Sequence, residues 1–122
     1  MVELALVIMI FLMIVLGIME FGSAFMVTQA MVTAAREAAR YASVTKDLQA
    51  DDPRVQARCQ ERLVSAEVLN GVCQNTKPLG AKDTVIVTVR VQYNLITGIN
   101  TLFGDLQGIN LVKTAAFRYE GP

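Results

Sequence analysis

The sequence predicts an α+β protein, in which one long N-terminal helix of about residues 2–44 packs on a small head with a second helix and an antiparallel β-sheet. Three observations lead to this fold class. The first 44 of the 122 residues contain no proline and are mostly apolar. An Asp-Pro pair then precedes an amphipathic stretch, which is typical of a helix start. Two later stretches alternate apolar and polar residues, as strands do.

The N-terminal half of the long helix is its most apolar part. Leu4 to Met19 carries no charge, although Glu3 and Glu20 border it. These sixteen residues span about 24 Å as a helix, less than the ~30 Å of a bilayer core, so they fit a simple membrane anchor imperfectly. A basic n-region and an A-x-A-like site, which mark a signal peptide, are missing. Because so short a chain cannot surround this helix, lipid or another protein must cover it.

The second half of the long helix turns amphipathic. Alanines recur at i, i+4 spacing in Ala30, Ala34, Ala38 and Ala42. Such a ridge of small side chains allows a sheet or another helix to approach closely. The alternative is that alanine occurs there only as the best helix former. Arg36, Glu37 and Arg40 mark where the helix has left the apolar environment.

A second helix is predicted after the polar linker. Asp52 is suited to the N-cap and Pro53 to the first helical position. An apolar stripe then runs to about Leu69, and Asn70-Gly71 is expected to end the helix.

Cys59 and Cys73 are the only cysteines. A disulfide between them would close a 15-residue loop and stabilise the fold by about 3 kcal/mol in the chain-entropy model. It requires an oxidising compartment. Two free structural thiols are the alternative, whereas a metal site is disfavoured in a chain that has no histidine.

Two strands are predicted in the C-terminal part, Asp83 to Tyr93 and Ile109 to Tyr119, the second interrupted by Lys113. They are expected to pair antiparallel and to bury their apolar faces under the helix around Ala30 to Ala42. The segment between them, Asn94 to Gly108, is apolar and punctuated by glycines. It is interpreted as a subunit contact or, alternatively, as a loop tucked over the sheet.

Composition argues against several function classes. Lys+Arg and Asp+Glu balance at 11 each, without a basic stripe, which disfavours nucleic acid as a partner. Without histidine no Ser/His/Asp or Cys/His set can form, and neither G-x-G-x-x-G nor G-x-x-x-x-G-K-[ST] occurs. We therefore expect no enzyme activity, cofactor or metal.

Both ends of the sequence resemble one known family. VELALVIMIFLMIVLGIMEFG, followed by AAREAARYA, resembles the opening of the TadE-like pilins and pseudopilins, and VKTAAFRYEG is similar to their closing strand. The resemblance implies a type IV pilin-like subunit with no cofactor. Its basic leader would be removed by a prepilin peptidase, and the subunit would wait in the inner membrane. The pilus assembly machinery would then build it into a homo-oligomeric extracellular filament of the tight-adherence type for surface attachment.

The resemblance also gives the bordering acids an assembly role. The free α-amino group of a neighbouring subunit, with a pKa of about 7.7 to 8.0, would pair with Glu3 and set the axial register. The family places this acid fifth in the mature chain, so we expect two residues upstream or different processing. For Glu20, the expected partners are Arg36 or Arg40 of a displaced subunit, or water as for a solvated acid.

Gly17 and Gly22 flank Glu20. They are expected to allow close approach of another helix or a local kink. Residues 1–28 are then the hydrophobic helix of the membrane and filament core, and residues 29–122 are the head. Two other functions are compatible with the sequence: a membrane-embedded accessory pseudopilin of the assembly apparatus, and a single-pass module whose head senses a small ligand.

Overall fold

The structure is a computed structural model that describes residues 1–78, 83–94 and 109–119. These residues form two helices and a three-stranded antiparallel sheet in the order β1-β2-β3. The elements along the chain are α1 (Val2–Val44), α2 (Pro53–Ser65), β1 (Gly71–Asn75), β2 (Thr84–Tyr93) and β3 (Ile109–Arg118). The predicted α+β architecture is confirmed.

The first helix, α1, runs through Gly17 and Gly22 without interruption over 43 residues. Its length is about 64 Å. The part from Ala30 to Ser43, hereafter the alanine segment, lies over the sheet and beside α2. Its core-facing side chains are buried: Met31, Ala34, Ala35, Ala38, Ala39, Ala42 and Ser43. The alanine ridge is therefore a packing surface, because small side chains let the helix backbone lie close to the strands.

The sheet supplies the other side of the core. Along β2 the valines from Val85 to Val91 alternate with exposed residues and face the alanine segment. The predicted antiparallel pairing of the two long strands is confirmed, with Val87 opposite Ala115. On β3 the half-buried Lys113 lies opposite the buried Val89, and Phe117 is more exposed than its apolar character led us to expect.

The predicted end of α2 is wrong. The helix stops at Ser65, because Glu67 takes a left-handed conformation with φ 61°. The Glu67 N–H donates to the Val64 carbonyl, and the Val68 N–H donates to the Leu63 carbonyl. These two bonds form a Schellman motif, which closes a helix and is usually built on glycine.

Gly71 opens a strand instead of capping the helix. Strand β1 was not predicted; it pairs with β2 and places Gly71 opposite Val91. A Cβ atom at Gly71 would collide with the Leu63 side chain, so glycine allows β1 to pass directly against α2.

The start of α2 is bound to the end of β1. The Asp52 side chain accepts a hydrogen bond from the Arg54 N–H, which confirms the predicted N-cap. The buried Asn75 accepts from the Asp52 N–H at 2.8 Å and donates to the Gln49 carbonyl at 2.8 Å. Hydrogen bonds from Arg54, side chain and backbone, lower the pKa of Asp52 from 3.8 to about 2 despite burial. This corner therefore holds a carboxylate that the fold keeps ionised.

Most of the connection between β2 and β3, residues 95–108, lies outside the described residues. Its interpretation as a subunit contact stays a prediction.

Candidate functional site

The part of α1 from Leu4 to Met19, hereafter the apolar segment, is not covered by the described head. Most of its large side chains are between 47% and 67% exposed, which is what a helix shows when only its own turns shield it. The helix contains an 18-residue stretch of mean hydropathy 2.9, long and apolar enough to cross a membrane. An exposed apolar surface of this size marks an interaction site.

Glu3 lies at the lower end of the apolar segment, in the first turn of α1. Its side chain is exposed, and in the part of the chain that the structure describes no cation pairs with it. A carboxylate at a helix N-terminus is favoured by the helix dipole. The fold thus leaves this acid free to meet a group from another molecule.

Glu20 lies at the upper end of the apolar segment and, unlike Glu3, is buried. Its side chain is only 9% exposed, and the Tyr93 hydroxyl donates to its carboxylate Oε1 at 3.1 Å. The same hydroxyl lies 3.4 Å from the Glu20 carbonyl oxygen. Burial and this carboxylate raise the pKa of Tyr93. The expectation of a solvated acid is therefore wrong, because the last residue of β2 covers Glu20.

This contact also bears on the expected arginine partners of Glu20. The carboxylate faces its own head, whereas Arg36 and Arg40 are exposed further along α1. Helical spacing could not reveal Tyr93, because the two residues are 73 positions apart. A role of Glu20 in subunit contact stays a prediction.

Gly17 and Gly22 lie within α1, whose helical assignment is continuous from Val2 to Val44. A Cβ atom added to either glycine would meet no heavy atom within 4 Å. Nothing in the described chain therefore requires glycine at these two positions. Their small size leaves space on the helix surface for a molecule that packs from outside.

The structure joins Cys59 and Cys73 in a disulfide. Both residues are buried, and the bond links α2 to β1 beneath the alanine segment. The link lies within the head and is remote in sequence from the apolar segment. Its place is that of a structural cross-link.

A depression of roughly 750 Å³ on the head is lined by residues of α1 and α2 and by Phe117 of β3. Four arginines line it: Arg36, Arg40, Arg58 and Arg62. Arg62 Nε lies 2.5 Å from the Glu37 carboxylate, and the Arg58 guanidinium lies 5.3 Å from the centre of the Tyr41 ring. These contacts hold α2 against α1, so two of the four arginines already have a structural role.

Comparison with known proteins gives one match. Residues 1–40 match the family described as TadE-like protein, which is about a third of the chain. This confirms the resemblance of the N-terminal part, whereas the resemblance of the closing strand lies outside the match. None of the curated proteins or solved structures matches the chain. The match and the uncovered apolar segment together indicate a pilus-associated protein with an N-terminal apolar helix that fits membrane anchoring.

Proposed function

We propose that this chain is a structural pilin-like subunit that waits in the inner membrane and then polymerises into an extracellular filament for surface attachment. The observation that carries the proposal is the apolar segment, a helical rod that extends beyond the described head with its large side chains exposed. Full burial of a Leu, Ile, Met or Phe side chain contributes about 1.5–3 kcal/mol. Packing the N-terminal helices of many subunits together would bury the apolar side chains that the head of a single subunit leaves exposed.

Glu3 supplies the register of this bundle. A carboxylate at the centre of an apolar environment costs about 2.5 to 3.5 kcal/mol on insertion scales, so it needs a cationic partner. The α-amino group of a neighbouring subunit is such a partner, and a slipped register would leave both charges buried and unpaired. The absence of a cation next to Glu3 in the described chain supports a partner from another subunit.

Gly17 and Gly22 contribute close approach. Both leave open space on the helix surface near the top of the apolar segment, where rods from neighbouring subunits would cross. Small residues at a helix crossing bring the backbones together and strengthen van der Waals packing. The glycines are therefore assigned to contacts between subunits.

The test is to shear cells that express the intact gene, collect the high-molecular-weight fraction, image it by cryo-electron microscopy and determine its N-terminus by mass spectrometry. Filaments built mainly of this chain are expected. Retention of the chain in membranes, with none in the sheared fraction, would contradict polymerisation and favour an accessory component.

A substitution of Glu3 tests the proposed pairing separately. Glu3→Gln keeps size and helix propensity and removes the charge, so we expect filament yield to fall by about tenfold or more, the effect of a lost pairing of about 1.4 kcal/mol. Glu61→Gln is the matched control, because Glu61 is exposed on α2 and lies 3.9 Å from Arg58 in a weak surface pair. Unchanged yield for Glu3→Gln would remove the register role and leave the filament proposal standing.

A further inference from the structure

Large apolar side chains continue on α1 beyond Glu20. Phe21, Phe25 and Met26 are 78%, 58% and 74% exposed. Leu69, in the turn after α2, is 76% exposed and lines the same shallow depression as Val27. Phe21, Phe25, Met26 and Leu69, hereafter the collar, thus place exposed apolar side chains at the lower end of the head.

Glu20 does not interrupt this surface. On a helix with about 100° per residue, Phe21, Phe25 and Met26 point at least 100° away from Glu20. Glu20 faces the head, where the Tyr93 hydroxyl donates to its carboxylate at 3.1 Å. Viewed from outside, the side of α1 opposite the head therefore carries no charge between Glu3 and Arg36.

The polar residues of this stretch are largely satisfied within the helix. The Ser23 hydroxyl donates to the Met19 carbonyl at 3.1 Å, and the Thr28 hydroxyl donates to the Ala24 carbonyl at 2.9 Å. Hydroxyls bonded in this way enter an apolar environment at much lower cost than free ones. Beyond Glu20, the first exposed side chain on α1 that carries an amide is Gln29. Its amide group needs hydrogen bonds from water.

The length of the uncharged surface now fits a bilayer. Leu4 to Met19 spans about 24 Å, which is short of the ~30 Å hydrocarbon core. Leu4 to Met26 contains 23 residues and spans about 34 Å, which is sufficient. The helical turns from Glu20 to Met26, which carry three of the four collar residues, supply the additional length.

We infer that in the membrane-stored subunit the collar lies in lipid, so that the lower end of the head, with Tyr93 covering Glu20, is set into the bilayer interface. The inference rests on the membrane stage of the proposed function. Tyr93 suits this position, because tyrosines concentrate where the apolar core meets water. The Tyr93 contact with Glu20 shields the acid and so moves the membrane boundary from Met19 to about Gln29.

Single-cysteine labelling tests this placement. The two native cysteines are joined in a disulfide, so an introduced cysteine is the only free thiol. Phe25→Cys, Met26→Cys and Leu69→Cys report on the collar, and Thr33→Cys, seven residues above Met26 on α1, is the exposed control. The full chain is reconstituted into vesicles of phosphatidylethanolamine and phosphatidylglycerol and exposed to a membrane-impermeant maleimide.

We expect collar cysteines to label about tenfold or more slowly than Cys at position 33, because a thiol in hydrocarbon is shielded from water. The difference should vanish in sodium dodecyl sulfate. Equal labelling of collar and control in vesicles that carry the chain would overturn the inference. Protection that disappears when the protein is diluted into more lipid would also overturn it, since a neighbouring subunit would then be the cover.

The role of Tyr93 is tested in the Met26→Cys background. Tyr93→Phe removes the hydroxyl donor, so we expect Glu20 to draw water to this level and labelling of the cysteine to rise several-fold. Tyr41→Phe is the matched control, because Tyr41 packs under Arg58 on the far part of α1 and should leave labelling unchanged. No rise with Tyr93→Phe would overturn the assignment of the boundary to this contact.

The same experiment separates the two proposals. If the chain does not float with the vesicles, the membrane stage of the proposed function fails, and the collar inference fails with it. If the chain floats and the collar labels freely, only the collar inference fails. Filament formation is not required for either readout.

Discussion

The two halves of α1 share one helical geometry and differ in what covers them. The alanine segment, Ala30 to Ser43, buries mainly alanine side chains, together with Met31, under its own sheet and beside α2. The apolar segment, Leu4 to Met19, carries large side chains and leaves them exposed. Small residues thus serve a contact that the chain makes with itself, and large ones provide a surface for molecules that the chain must still meet.

This difference separates stability from assembly. Folding free energy should depend on the alanine segment and on the links within the head, because burial occurs there. Substitutions in the apolar segment should leave the folding of the head nearly unchanged and act on membrane insertion and filament yield.

The largest effect is expected from loss of the disulfide. Replacing Cys59 and Cys73 by serine opens a 15-residue loop and should lower the free energy of unfolding by about 3 kcal/mol. The measurement is denaturant unfolding of the full chain in a non-ionic detergent, followed by tyrosine fluorescence. Phe11→Ala, in the apolar segment, is the counterpart and should change this free energy by only a few tenths of a kcal/mol, in the range of about ±0.5 kcal/mol for exposed sites. A large loss with Phe11→Ala would show that the apolar segment is part of the folding unit.

A second contrast uses one substitution at two places on α1. Ala38 is fully buried in the core that α1, α2 and the sheet share, so Ala38→Leu should overpack this core and cost about 1–3 kcal/mol. Ala5→Leu adds the same atoms at an exposed position and should leave unfolding unchanged. Thermal unfolding by circular dichroism compares the two variants. Equal stability of both would mean that the alanine segment is loosely packed.

The comparison also explains what the sequence could predict. The long helix was predicted to end near residue 44, because a proline-free run with a change from apolar to amphipathic character is a local pattern. The alternation in β2 identified its buried face for the same reason. Strand β1 was missed, because its five residues GVCQN contain glycine, glutamine and asparagine and carry little strand signal.

The sequence pattern did not reveal two kinds of feature: an unusual backbone conformation and a contact between residues that are distant in sequence. The end of α2 rests on Glu67 in a conformation that glycine usually takes, so Asn70-Gly71 gave the stronger signal at the wrong place. The cover of Glu20 comes from Tyr93, and only the fold brings these two residues together. The hypothesis that Glu3 takes part in assembly came from its place at the border of an uncharged run, which again is a local property.

A smaller effect is expected at the corner formed by Asp52. The pKa of this carboxyl is about 2 in the folded chain and 3.8 without its partners, so its contribution is complete above pH 4 and is lost as the pH falls through about 2. Asp52→Asn keeps an N-cap residue and removes the charge, so we expect a loss of about 1 kcal/mol at neutral pH. It should also flatten the decline in stability between pH 4 and 2. Unfolding curves measured across this range would contradict the prediction if wild type and variant declined in parallel.

The smallest effect on folding is expected at Gly22, where the two regions of α1 meet. An added Cβ would meet no heavy atom within 4 Å, so Gly22→Ala has no clash to overcome in the single chain. Alanine improves helix propensity by at most about 1 kcal/mol, so stability should stay the same or rise slightly. Filament yield should nevertheless fall, because the methyl group fills space that we assign to a neighbouring helix.

Thr33→Ala is the control for this substitution, since Thr33 is exposed on α1 above the collar: it should also raise helix stability slightly, by at most about 0.7 kcal/mol, but should leave filament yield unchanged. The two measurements are the unfolding free energy in detergent and the amount of chain in the sheared fraction. A variant that gains helix stability and loses filaments would show that glycine is kept at position 22 for a contact outside the subunit. Full filament yield with Gly22→Ala would instead place the helix crossing elsewhere on α1, because a close crossing at position 22 could not admit the methyl group.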